Sequence, residues 1–91
     1  SESVAQSVHE ERGYRLAGVR PGDMVRLRHG TGVFTAGWRC EVLHVDLNED
    51  WTALDEYPVV VMPHLTRKEV ELEVDEFDKL VPLGVQAWGR R

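Results

Sequence analysis

The sequence predicts an all-β domain, a small five-stranded barrel, and three observations carry that reading. Pro21-Gly22-Asp23 opens directly into Met24-Val25-Arg26-Leu27-Arg28, a tight turn followed by strict alternation. Proline presets φ for the turn, glycine relaxes the next position, and Asp bonds nearby backbone. Val25 and Leu27 then point to one face while Met24, Arg26 and Arg28 point to the other. Second, further short strand-like runs follow, each bounded by Gly, Pro, Asn or Asp. Third, the longest run, Trp38 to Leu47, changes its alternation midway, as a sharply bent strand does.

Ahead of the first strand, residues 1–12 are polar, with Val4 and Val8 four apart and Ser1 or Ser3 placed to cap a helix. Two apolar residues make a thin stripe, so this segment reads as a tail or as a short docking helix. Gly13 is expected to end it, and Tyr14, Leu16 and Val19 to begin a lead-in strand. His29-Gly30-Thr31-Gly32 is a turn, and Val33 to Gly37 a loop or bent strand.

Trp38, Cys40 and Val42 share one parity, and Leu43, Val45 and Leu47 the other. A regular strand cannot bury both sets on one face, so a β-bulge is expected near Val42-Leu43. Asn48 to Glu56 is an acidic loop carrying Trp51 and Leu54. Tyr57 to Met62 is apolar on both parities, as a central strand is, with Pro58 at its first position or on an edge. Pro63 to Glu69 is a hairpin loop, and Val70, Leu72 and Val74 alternate inward. Asp75 to Leu80 reads as a single helical or 3₁₀ turn whose Phe77 and Leu80 cover the barrel end. Val81-Pro82-Leu83 is a short closing strand. The expected organisation is a tail or helix over 1–13, a barrel over 14–83 and a tail over 84–91 that holds Trp88.

Ninety-one residues with 42% hydrophobic and 30% charged content suit one soluble domain. The longest apolar run is far short of the roughly 20 residues a membrane span needs. One cysteine excludes an intramolecular disulfide and fits a reducing compartment, so the expected location is cytoplasmic. The charge is divided. Arg12 to Arg39 holds six arginines against the single acid Asp23, while residues 41–81 hold twelve acids against three basic residues. The simplest explanation is neutralisation between neighbouring strands. The overall charge of −5 disfavours nucleic acid, whose binding needs a basic surface.

With its elements in place, the chain resembles the SH3-like barrels. The matching features are Gly22-Asp23-Met24-Val25-Arg26-Leu27, the strand Tyr57-Pro58-Val59-Val60-Val61, and the turn and strand from Asp75 to Leu83. Within that fold it looks most like the electron-transport accessory group, which includes the photosystem I PsaE subunit, the ferredoxin–thioredoxin reductase variable chain and the nitrile hydratase β-subunit barrel. The resemblance spans about Val19 to Leu83. It implies a fold and a partner-binding role, and it carries no catalytic residue across.

The residues bear on four kinds of chemistry. His9, His29, His44, His64 and Cys40 lack metal-ligand spacing, which favours a core cysteine and surface histidines over a metal site. Cys40 as a nucleophile beside His44 conflicts with its inward position and with the bulge, which sends the two to opposite faces. The carboxylates Asp55, Glu56, Glu71, Glu73, Asp75 and Glu76 lie on solvent faces or loops, without the desolvation that acid–base work requires. Arg26, Arg28 and Arg39 with Phe34 form a candidate nucleic-acid patch beside Trp38, against the alternative of a core Trp38 flanked by solvated arginines.

The expected function is a non-catalytic protein-interaction or accessory module without cofactor or metal. Its expected site is the acidic loop: Trp51, Leu54 and Tyr57 as anchors, with Glu49 and Asp50 on the rim. The partner is another protein with a basic rim, or a second copy presenting Arg26, Arg28 and Arg39. Trp51 as a plug in the barrel end is the competing role for that side chain. Two other functions stay open: a nucleic-acid-binding barrel using the 12–39 half, and an enzyme assembled only on oligomerisation.

Overall fold

The computed structural model describes residues 2–81. Trp88, the 84–91 tail and the Pro82-Leu83 end of the expected closing strand lie outside the described residues. A helix, α1 (Glu2–Ala17), precedes five strands: β1 (Met24–Leu27), β2 (Arg39–Leu47), β3 (Leu54–Pro63), β4 (Val70–Leu72) and β5 (Phe77–Lys79). All pairings are antiparallel, in the order β4-β3-β2-β1-β5. The strand-rich class and the count of five agree with the sequence. Barrel closure does not: among the described residues β4 pairs only with β3 and β5 only with β1, so the sheet has two edges.

The N-terminal segment is the main departure. The helix runs through Gly13 to Ala17, and no strand forms over Tyr14–Val19. A Cβ at Gly13 would meet the side chains of Val45 and Leu47 at 3.5 and 3.7 Å. The helix therefore lies within ordinary side-chain contact of the sheet at this position, and tertiary packing carries it through the glycine despite the helix cost. Tyr14 and Ala17 pack against the core, whereas Val8 and Leu16 are exposed. Gly18, at φ +76°, ends the helix by donating its N–H to Tyr14 O at 2.8 Å.

The turn into β1 forms as the sequence indicates. Asp23 N–H donates to Arg20 O at 3.0 Å across Pro21-Gly22, with Gly22 at φ +93°, the arrangement that favours proline then glycine. The Asp23 carboxylate turns back to accept the Arg20 N–H at 2.9 Å.

The register of β2 on β3 shifts between Val42 and His44, which places the bulge at Leu43. Cys40, Val42 and Val45 are consequently all buried despite their different parities, while Trp38 and Leu47 are half-buried. A second shift lies between Val45 and Leu47, and β3 begins at Leu54, earlier than expected. Pro58 falls inside β3 and is buried, yet it lies where pairing to β2 breaks and beyond the end of β4, so its missing N–H leaves no ladder bond unmade.

The far end differs as well. Strand β4 stops at Leu72, and Val74 is exposed rather than inward, because the chain turns there with Glu76 N–H donating to Glu73 O at 3.1 Å. The expected 3₁₀ turn over Asp75–Leu80 is this turn followed by β5, which occupies Phe77–Lys79. Phe77 is buried opposite Leu27, while Leu80 is half-buried. The core is Val25, Leu27, Cys40, Val42, Val59, Val61, Leu72 and Phe77, joined by Val19, Phe34 and Val45.

Candidate functional site

The acidic loop is a set turn. Asn48 N–H donates to Ala53 O at 2.9 Å, and its side-chain Oδ1 accepts the N–H groups of Thr52 (3.0 Å) and Ala53 (3.3 Å). This is the local capping that asparagine supplies in turns. Trp51 sits at φ +63°, a left-handed conformation that costs a bulky residue about 1–2 kcal/mol. Its carbonyl accepts Arg12 Nη1 at 2.8 Å, and its ring lies 4.5 Å from that of His9 at an interplanar angle of 30°. Both partners belong to α1. Trp51 is nevertheless 48% exposed, so it leans on the helix instead of plugging the sheet.

Between α1 and β2 lies a groove of about 630 Å³ lined by His9, Tyr14, Val45, Leu47 and Trp51, with Glu10 and Asp46 as its carboxylates. Nδ1 of His9 is buried there, with no hydrogen-bond partner among the described residues. Desolvation raises the Tyr14 phenol above its ordinary range, with Glu10 adding to the effect.

The expected anchors do not form one patch. Leu54 is half-buried and packs against the core. Tyr57, 45% exposed, belongs to a shallow cleft on the sheet's outer face with Val60, Glu69 and Glu71. His44 and Asp46 border both clefts. Glu49 and Asp50 are exposed near Trp51. The sequence reading missed His9, Arg12 and Tyr14, which form the helix side of the groove. The available signal was polar: Gln6, His9, Glu10, Gly13 and Tyr14 recur at helical spacing on one face, without the apolar stripe that marks a docking helix.

The nucleic-acid patch loses its aromatic. Phe34 is buried and packs edge-on against Trp38, with ring centroids 5.1 Å apart. Trp38 in turn donates its Nε1–H to His64 O at 3.2 Å. Arg28 is committed to Asp78, with Nε and Nη2 both 2.9 Å from Oδ1, and holds that carboxyl below the usual range. Neutralisation between the two charge blocks is only partial. Arg28–Asp78 and Lys79–Asp23 join them, but Arg26 and Arg39 sit directly opposite each other across β1 and β2.

For nucleophilic chemistry, burial pushes the Cys40 thiol up to about 11, which removes the thiolate at neutral pH. His44 is exposed on the opposite face of β2. Among the described residues, no three His, Cys, Asp or Glu side chains converge as metal ligands, and no helix is long and apolar enough to cross a membrane. No protein family, curated protein or solved structure matches this chain.

Proposed function

We propose that the protein is a non-catalytic protein-interaction module and that the groove between α1 and β2, headed by Trp51, is its binding site. The observation that carries this reading is Trp51 itself. A half-exposed tryptophan is held in a strained backbone conformation, braced by Arg12, stacked on His9 and set by Asn48. Such strain persists where surrounding structure enforces it, and it clusters at binding sites. A large aromatic fixed before binding loses little conformational entropy when a partner covers it. Glu10, Asp46, Glu49 and Asp50 around an apolar floor favour a partner segment with an aliphatic or aromatic residue flanked by Lys or Arg.

The resemblance to the SH3-like barrels belongs to the same proposal. Its support is a four-strand meander whose fifth strand returns to pair with the first, here in an open sheet.

The test is a nuclear magnetic resonance titration of the full chain with short peptides carrying Leu or Phe between arginines. Shifts confined to the Trp51 indole, His9 and Tyr14, and lost in Trp51→Ala, support the site. Shifts at Arg26 and Arg39 with mixed oligonucleotides, and none at Trp51 with any peptide, overturn it.

A further inference from the structure

The face of the sheet turned away from the core is electrically divided. Cross-strand register defines three rows on it: Arg26 opposite Arg39, then Met24, Glu41 and Met62, then His44, Val60 and Glu71. Arg26 and Arg39 are both exposed, and like charges directly opposite each other across strands are destabilising. The carboxylate beside Arg26, Asp78, already bonds Arg28. At the other end Glu69 and Glu71 are exposed, and neither makes an ion pair with any described residue. Along β2 the two ends lie roughly 13 Å apart, beyond the ~8 Å screening length at physiological salt, so Glu71 does little to neutralise Arg26 and Arg39 within one molecule, and Glu41, the exposed carboxylate of the middle row, stands against two arginines. Between them lie Met24, at 36% exposure, and the half-buried Met62, with the exposed Glu41 in the same row.

We propose that this face pairs with the same face of a second copy about a twofold axis passing near Met62, so that Arg26 and Arg39 of each copy meet Glu69 and Glu71 of the other. A twofold contact requires a self-complementary surface, and a patch with opposite charges at its two ends meets that requirement. A purely basic or purely acidic partner would satisfy one end and leave the other unpaired. The surface meets the Trp51 groove at His44 and Asp46, but none of the four residues of the charge pairing lines that groove.

The test is sedimentation of the full chain and its charge-reversed variants. At low salt the wild type forms a dimer, and the dissociation constant weakens at least about tenfold at about 0.5 M NaCl. Arg26→Glu/Arg39→Glu and Glu69→Arg/Glu71→Arg are each monomeric alone, and an equimolar mixture of the two restores the dimer. That rescue also shows that both variants are folded. A monomeric wild type at low salt, or a dimer that both variants retain, overturns the proposal. A ladder of species that grows with concentration overturns the twofold arrangement in favour of head-to-tail contact. Loss of the dimer in both variants without rescue in the mixture also overturns it.

Discussion

His9 and Trp51 stack on each other across the join between helix and sheet, with ring centroids 4.5 Å apart. Each is held by a different part of the chain, His9 by α1 and Trp51 by the Asn48 turn, so the pair ties the helix to the end of β2. Removing His9 takes away one wall of the groove and the aromatic support of the indole. In His9→Ala the Trp51 emission shifts to the red, toward that of a fully solvated indole, with Trp38→Phe/Trp88→Phe as the background that isolates the signal. Unchanged emission would mean that the Arg12 contact alone positions the ring.

Trp51→Gly is less destabilising than Trp51→Ala, by about 1 kcal/mol, because glycine accepts φ +63° without a Cβ penalty. Both substitutions lose the stacking, so the difference isolates the backbone. Paired urea titrations measure it, and equal midpoints would place the strain elsewhere.

Gly13→Ala stabilises the protein by about 0.5–1 kcal/mol through helix propensity, since the added methyl would make ordinary contacts with Val45 and Leu47. Gly13→Leu has no room for its longer side chain and lifts the helix from the sheet. Thermal melting separates the two, and hydrogen exchange shows faster exchange across α1 in the leucine variant only.

Leu72→Ala costs about 2–5 kcal/mol, the range for emptying a fully buried leucine site. Val74→Ala, at an exposed position just past the end of β4, stays within about 0.5 kcal/mol. Chemical denaturation distinguishes them, and a large effect at Val74 would restore it to the core.

Stability falls as pH drops below about 4. Arg28 holds the Asp78 carboxyl below its unfolded range, and Arg20 does the same to Glu11. A depressed carboxyl contributes stability above its unfolded pKa and loses it as pH falls through the folded value. Arg28→Met flattens the acid limb of the stability–pH curve, while the curve near neutrality keeps its slope. Denaturant midpoints at a series of pH values from neutral to about 2 read the difference.

Local structure was legible in the residues alone. The Pro21-Gly22 turn, the alternation of Val25 and Leu27, and the conflict of parity around Leu43 each involve a few neighbouring residues whose geometry is set by chain sterics. The bulge was legible because two apolar sets of opposite parity cannot share one face of a regular strand. Trp51 was legible as an exposed aromatic in a loop, but its partners were not. His9 and Arg12 reach it only because α1 packs, at Gly13, against Val45 and Leu47, a contact between segments far apart in sequence. The open sheet, the position of β5 and the meeting of Arg26 with Arg39 likewise came from pairing between distant strands. Tertiary structure decided these because many segments of such a chain could pair, and the choice rests on how much apolar surface the whole arrangement buries at once.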